Sequence, residues 1–142
     1  GLGLTFGIGT TLILISNGVQ FGAIVAWMAL AGKDRALWGW IMPHGGTELL
    51  AIALAGSAGY VLAGALAMPG QLPRAAALRQ VAMRALRIEL GVMAMLVVAG
   101  LIEGFVSPSS LPYSGRIAVL ALSLLVWAAF FLGAGRKAPL SP

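Results

Sequence analysis

The sequence predicts an all-α fold: a single polytopic bundle of four to five membrane-spanning helices with a basic amphipathic helix on the cytoplasmic side. Three observations predict it. Apolar residues make up 60% of the 142 and charged residues only 9%, against about 45–50% and about 25% in an ordinary soluble domain. The apolar residues come in runs of the roughly 20 residues that a helix needs to cross a bilayer core. Helix breakers fall between the runs: Pro69-Gly70, Pro73 and Ser107-Pro108. So few charges cannot cover a soluble globule, and so much apolar surface excludes intrinsic disorder. With no cysteine, disulfide scaffolds, thiolate metal sites and cysteine nucleophiles are excluded.

The first run, residues 2–31, carries no charge and is longer than one crossing requires. Asn17-Gly18 interrupts it, so it reads either as one long helix or as two pieces broken near 17–18. The chain opens without Met and already inside an apolar run, which suggests that upstream residues are missing. The second span is expected over 43–68, with Pro43 in the first helical turn, where a missing N–H costs nothing. The third covers 88–106 and the fourth 117–135. Between the second and third, residues 74–87 hold Arg74, Arg79, Arg84 and Arg87 around good helix formers. They read as an amphipathic helix lying on the membrane or extending the third span.

The net charge is +5. The basic residues sit between apolar runs with little aromatic interleaving, a layout that suits membrane topology and not nucleic acid. Placing Arg74, Arg79, Arg84 and Arg87 with Arg136 and Lys137 in the cytoplasm gives a consistent alternation and a cytoplasmic C-terminus. These arginines would then face anionic lipid, and the protein would be a multi-pass component of the plasma membrane. Small residues recur every fourth position in the second span, at Ala51, Ala55, Gly59, Ala63 and Ala67, and the first run repeats the theme at Gly3/Gly7 and Gly18/Gly22. Such stripes let helices approach closely in lipid. They serve packing within the bundle or a homo-oligomer interface.

Ionisable residues inside a membrane are expensive and call for a functional hypothesis. His44, the only histidine, lies one helical turn from Glu48, and Glu103 lies one turn from the outer end of the third span. All three can meet at the outward face. They could cap and bond neighbouring helices, contact a ligand or partner, or form a catalytic or metal site. One histidine is a poor start for a zinc site, and Ser57 in Ala-Gly-Ser-Ala-Gly is a packing stretch without a nucleophile elbow. No catalytic residue, metal ligand or cofactor site is therefore assigned. Glu89 opens the third span at the cytoplasmic end, about 21 Å along the axis from Glu103. The apolar Val92, Leu96 and Ala99 between them make a poor proton relay.

The run Pro43-His44-Gly45-Gly46-Thr47-Glu48-Leu49 resembles the Pro-His-Gly-x-x-Glu-Leu signature of the stage II sporulation protein M family of integral membrane proteins. Ser16-Asn17-Gly18-Val19, Ala55-Gly56-Ser57-Ala58-Gly59 and Ala99-Gly100-Leu101-Ile102-Glu103-Gly104-Phe105-Val106, followed by Ser107-Pro108, resemble further family elements in the same order. The resemblance extends over nearly the whole chain. The upstream helical portion typical of members is missing, and Gly46 and Thr47 stand where a larger apolar residue is commoner. The resemblance implies a membrane component of a peptidoglycan-degrading complex that drives engulfment during sporulation, anchoring partners that cut the wall. Relatives also occur in bacteria and archaea that do not sporulate. Carried over by motif, the polar or binding residues are Asn17, His44, Gly45, Glu48, Glu103 and Gly104.

The expected function is thus a non-enzymatic membrane subunit, a scaffold for cell-envelope remodelling. Its expected partners are lipids and other membrane or envelope proteins, with self-association possible and nucleic acid excluded. Two alternatives belong to other classes: a transporter or permease-like subunit, since glycine-interrupted helices occur in such folds, and an intramembrane hydrolase using His44 and the glutamates.

Overall fold

A computed structural model describes residues 7–135. Four helices follow one another: α1 (Ile8–Leu30), α2 (Asp34–Ala67), α3 (Arg74–Phe105) and α4 (Tyr113–Gly135). Each is long and apolar enough to cross a membrane. The short connections force neighbours to run antiparallel. One end of the bundle, the cluster end, therefore gathers the C-termini of α1 and α3 with the N-termini of α2 and α4. Arg136, Lys137 and Gly3 lie outside the described residues.

Helix α1 runs unbroken through Asn17-Gly18. Its stop is local chemistry: Gly32 takes φ +67°, Lys33 N–H donates to Met28 O at 2.8 Å and Gly32 N–H to Ala29 O at 3.0 Å. That pair of bonds is a Schellman closure, and glycine holds the left-handed position at least cost. Helix α2 then starts at once, at Asp34, whose charge suits a helix N-terminus.

The start of α2 corrects the sequence reading. The helix begins nine residues before Pro43, which sits in its interior. A proline there has no N–H for the carbonyl four residues back, that of Gly39. Arg116, from α4, fills the gap: its guanidinium donates to Gly39 O at 2.6 Å. The helix survives its proline because another helix supplies the donor.

For the basic segment, the second of the two readings holds. It is no separate surface helix but extends the third span as the first turns of α3, which runs without a break from Arg74 to Phe105. At 1.5 Å per residue its 32 residues reach about 48 Å, well beyond a hydrocarbon core of about 30 Å. Arg79, Arg84 and Arg87 are exposed. Arg74, also exposed, donates to Leu66 O at 3.1 Å and so caps the end of α2. Helix α4 begins at Tyr113, four residues earlier than expected.

Among the described residues, α2 is the hub: the close backbone approaches are those of α1, α3 and α4 to α2. The interior is small and the exterior large. Ala51, Val92 and Met95 form the buried core, flanked by Leu54, Ile88 and Trp127, while Ile15, Val19, Val97, Leu125 and Phe130 are exposed. In lipid this arrangement costs nothing, because exposed apolar side chains meet apolar tails and close backbone approach supplies the association. The small residues of α2 serve that approach in turn. Ala51 packs on α3. A Cβ on Gly59 would meet Thr10 of α1 at 2.5 Å, and Ala63 lies under Gly7. Ala67, at the end of α2, is exposed.

Candidate functional site

At the cluster end, His44 and Glu48 project from one face of α2 and Glu103 comes round from α3. One ligand atom from each lies within 4.8 Å of the others. His44 is 4% exposed, whereas the two carboxylates are partly exposed. One turn of α2 and the packing of α3 along it produce this arrangement. The four-residue spacing stacks His44 over Glu48, and the antiparallel course of α3 along α2 sets Glu103 beside them.

The His44 ring has a defined polarity. Its Nδ1 lies 3.2 Å from Ser107 Oγ. The Ser107 hydroxyl donates to Trp40 O at 2.9 Å, so its single hydrogen is committed there. Ser107 can only accept from the ring, and Nδ1 is therefore the donor. The lone pair of neutral His44 falls on Nε2, which points toward Glu48 at 3.9 Å, too far for a hydrogen bond.

Arg116 locks the loop around this group. Besides Gly39 O it donates to Ser107 O at 2.9 Å, Ser109 O at 2.8 Å and Leu111 O at 3.0 Å. Four of its five N–H donors thus go to backbone carbonyls, and no Lys or Arg side chain pairs with Glu48 or Glu103 among the described residues. Arg35 lies 5.6 Å from the centroid of the Tyr113 ring and ties α2 to α4 at the same end. One turn below His44, Thr47 is fully buried and accepts from Trp127 Nε1 at 3.0 Å. Beside it, a Cβ on Gly46 would lie 2.7 Å from Leu120 of α4. Glycine at 46 thus admits α4, and threonine at 47 anchors it.

The structure treats the other sequence candidates differently. Gly45 is buried beside the cluster, and its Cβ would meet Ile41 of its own helix. Gly104 faces open space. Asn17 is exposed on α1 and does not join the cluster. It lines a cavity of about 530 Å³ with Glu48, and one of about 580 Å³ with Glu89 between α1, α2 and α3. Glu89 does not open a helix: it lies midway along α3, which begins at Arg74, about 21 Å along the axis from Glu103 and apart from the cluster. Sequence reasoning missed Ser107, Arg116, Thr47 and Trp127. Ser107 read as a helix stop and as part of a family element, with no partner assigned to its hydroxyl. Arg116 was legible as the first charge after an uncharged loop.

Small interior residues, a lipid-compatible exterior and ionisable groups gathered near one end define a polytopic helical membrane protein. The stage II sporulation protein M family matches over residues 1–108, and the chain belongs to that family. The match contains the whole cluster and its Ser107 support. It leaves α4 outside, so it is narrower than the near-complete resemblance read from the motifs. No curated protein and no solved structure matches the chain.

Proposed function

We propose that the protein is a non-enzymatic subunit of the plasma membrane that positions partner proteins for remodelling the cell envelope, as its family membership suggests. The observation that carries this reading is the direction of the Ser107 hydrogen bonds. A serine nucleophile must give its proton to the imidazole, whereas Ser107 gives its hydrogen to Trp40 O and accepts from His44. The hydroxyl nearest the imidazole thus serves as a tether. The geometry suits a rigid platform: His44, Ser107 and Arg116 join α2, the 106–112 loop and α4 into one tied surface.

In this reading the cluster end faces outward and the arginines of α3 and the C-terminus face the cytoplasm, as the positive-inside rule favours. The chain has no cysteine, so single cysteines report cleanly. Ser110→Cys in intact cells should react with an impermeant maleimide and Arg79→Cys should not; the reverse pattern would invert the topology. Cross-linking in native membranes should capture a wall-cutting partner through residues 107–112, and the double variant Glu48→Ala/Glu103→Ala should weaken that capture. Unchanged capture by the correctly folded double variant would remove the cluster from the partner role. Hydrolysis by purified protein, lost in His44→Ala, would replace the scaffold reading altogether.

A further inference from the structure

We propose that His44 Nε2, Glu48 and Glu103 bind one divalent first-row transition-metal cation, with Ser107 as the residue that positions the ligating ring. Three independent features of the chain meet at this point. The first is donor chemistry: an imidazole nitrogen and two carboxylate oxygens form a ligand set suited to zinc and its neighbours and poorly suited to calcium or magnesium, which take oxygen alone. The second is orientation. His44 is more than nine-tenths buried, and its Nδ1–H is held by Ser107, so the Nε2 lone pair is left without a hydrogen-bond partner, 3.9 Å from Glu48 Oε2 in the cluster that Glu103 completes. A ligating histidine generally donates its other N–H to a fixed oxygen in this way, which sets both tautomer and ring angle. The third is charge. Two carboxylates lie within 4.8 Å of each other, and no Lys or Arg side chain pairs with either among the described residues. A divalent cation would neutralise both at the edge of a low-dielectric slab.

The distances are close to what coordination needs. Ligand atoms around a tetrahedral zinc with bonds of about 2.0–2.1 Å stand roughly 3.3 Å apart. The His44–Glu48 separation of 3.9 Å therefore closes by a small rotation of a partly exposed glutamate. Three protein ligands leave at least one position for water or for a donor from a partner. The cation would clasp α2 to α3 at the cluster end, adding a metal bridge to the hydrogen bonds already there.

The test uses the whole chain in nanodiscs, stripped with a chelator and titrated with Zn²⁺ against a chromophoric competitor. The background is low, because the chain has one histidine, four acidic residues and no cysteine. The expected result is one Zn²⁺ per chain, with an absorption-edge spectrum showing a single imidazole in a nitrogen/oxygen shell. Glu103→Gln and Glu48→Gln should each weaken uptake by about 100-fold or more. Ser107→Ala should weaken it by about 10–100-fold, as loss of an outer partner does. Glu89→Gln, midway along α3 and about 21 Å along the axis from Glu103, should bind as the unaltered chain does. Circular dichroism identifies variants that keep their helices. If a variant unfolds, the imidazole signature of the unaltered chain still decides. Absence of stoichiometric Zn²⁺ uptake, a bound ion without imidazole, or folded Glu48→Gln and Glu103→Gln variants that bind normally would each overturn the proposal.

Discussion

The interior proline of α2 and the arginine of α4 should be energetically coupled, and the coupling has a definite sign. Pro43 leaves Gly39 O without its helical donor, and Arg116 supplies one at 2.6 Å. Arg116→Met removes four hydrogen bonds. Three of them, to Gly39, Ser107 and Ser109, are partly buried, and the one to Leu111 is exposed, where water replaces it. At a net of about 1.5 kcal/mol for each partly buried bond from a charged donor, the loss is about 4.5 kcal/mol. Pro43→Ala restores an N–H aimed at Gly39 O. In that background the same arginine substitution should cost only about 3 kcal/mol, a coupling of about 1.5 kcal/mol. The assay is unfolding in mixed micelles by denaturing detergent, followed by far-ultraviolet circular dichroism, for the four members of the double-mutant cycle. Costs that add to within about 0.5 kcal/mol, the range of independent sites, would refute the reasoning that the arginine compensates for the proline.

Two further predictions separate glycines and hydroxyls by their surroundings. Gly46→Val forces a side chain against Leu120 and Leu124 of α4 and should destabilise the bundle by about 1–3 kcal/mol; Gly104→Ala meets open space and should be neutral or stabilising by up to about 1 kcal/mol. Thermal unfolding in detergent compares the two. Thr10 Oγ1 is buried against Gly59 with no hydrogen-bond partner among the described residues, so Thr10→Val, of nearly the same shape, should leave stability unchanged or raise it slightly. A marked loss in the same assay would mean that the hydroxyl has a role that packing does not account for.

How much of this was legible in the sequence depends on the range of the interaction. The apolar runs and most breaks between them follow from local signals, Pro69-Gly70, Pro73 and Ser107-Pro108. These left the count at four or five helices, because Asn17-Gly18 reads locally as a break that α1 runs through. The start of α2 did not follow, because the donor that tolerates Pro43 comes from a residue 77 positions away from Gly39. Read locally, a proline before a long apolar run is a first-turn residue; read in the bundle, it is an interior proline with a borrowed partner. The basic segment was ambiguous for a similar reason. Nothing between Arg87 and Leu90 breaks a helix, so the arginines simply continue the third span.

The cluster was half legible for a topological reason. His44 and Glu48 share a face by spacing alone. Glu103 reaches them only if α3 runs antiparallel to α2 with the right register, and two features of the chain impose both. The connection over residues 68–73 is too short for anything but a return, and Ala51 against Val92 and Met95 sets the level at which the helices meet. From Ala51 up to His44 is seven residues on α2, and from Met95 up to Glu103 is eight on α3, so the two climb nearly equal distances of about 11–12 Å from a common core level. Polar convergence at the cluster end is therefore a consequence of small-residue packing in the middle of the bundle. A substitution that widened that packing, such as Ala51→Leu, would move Glu103 away from His44 without touching either.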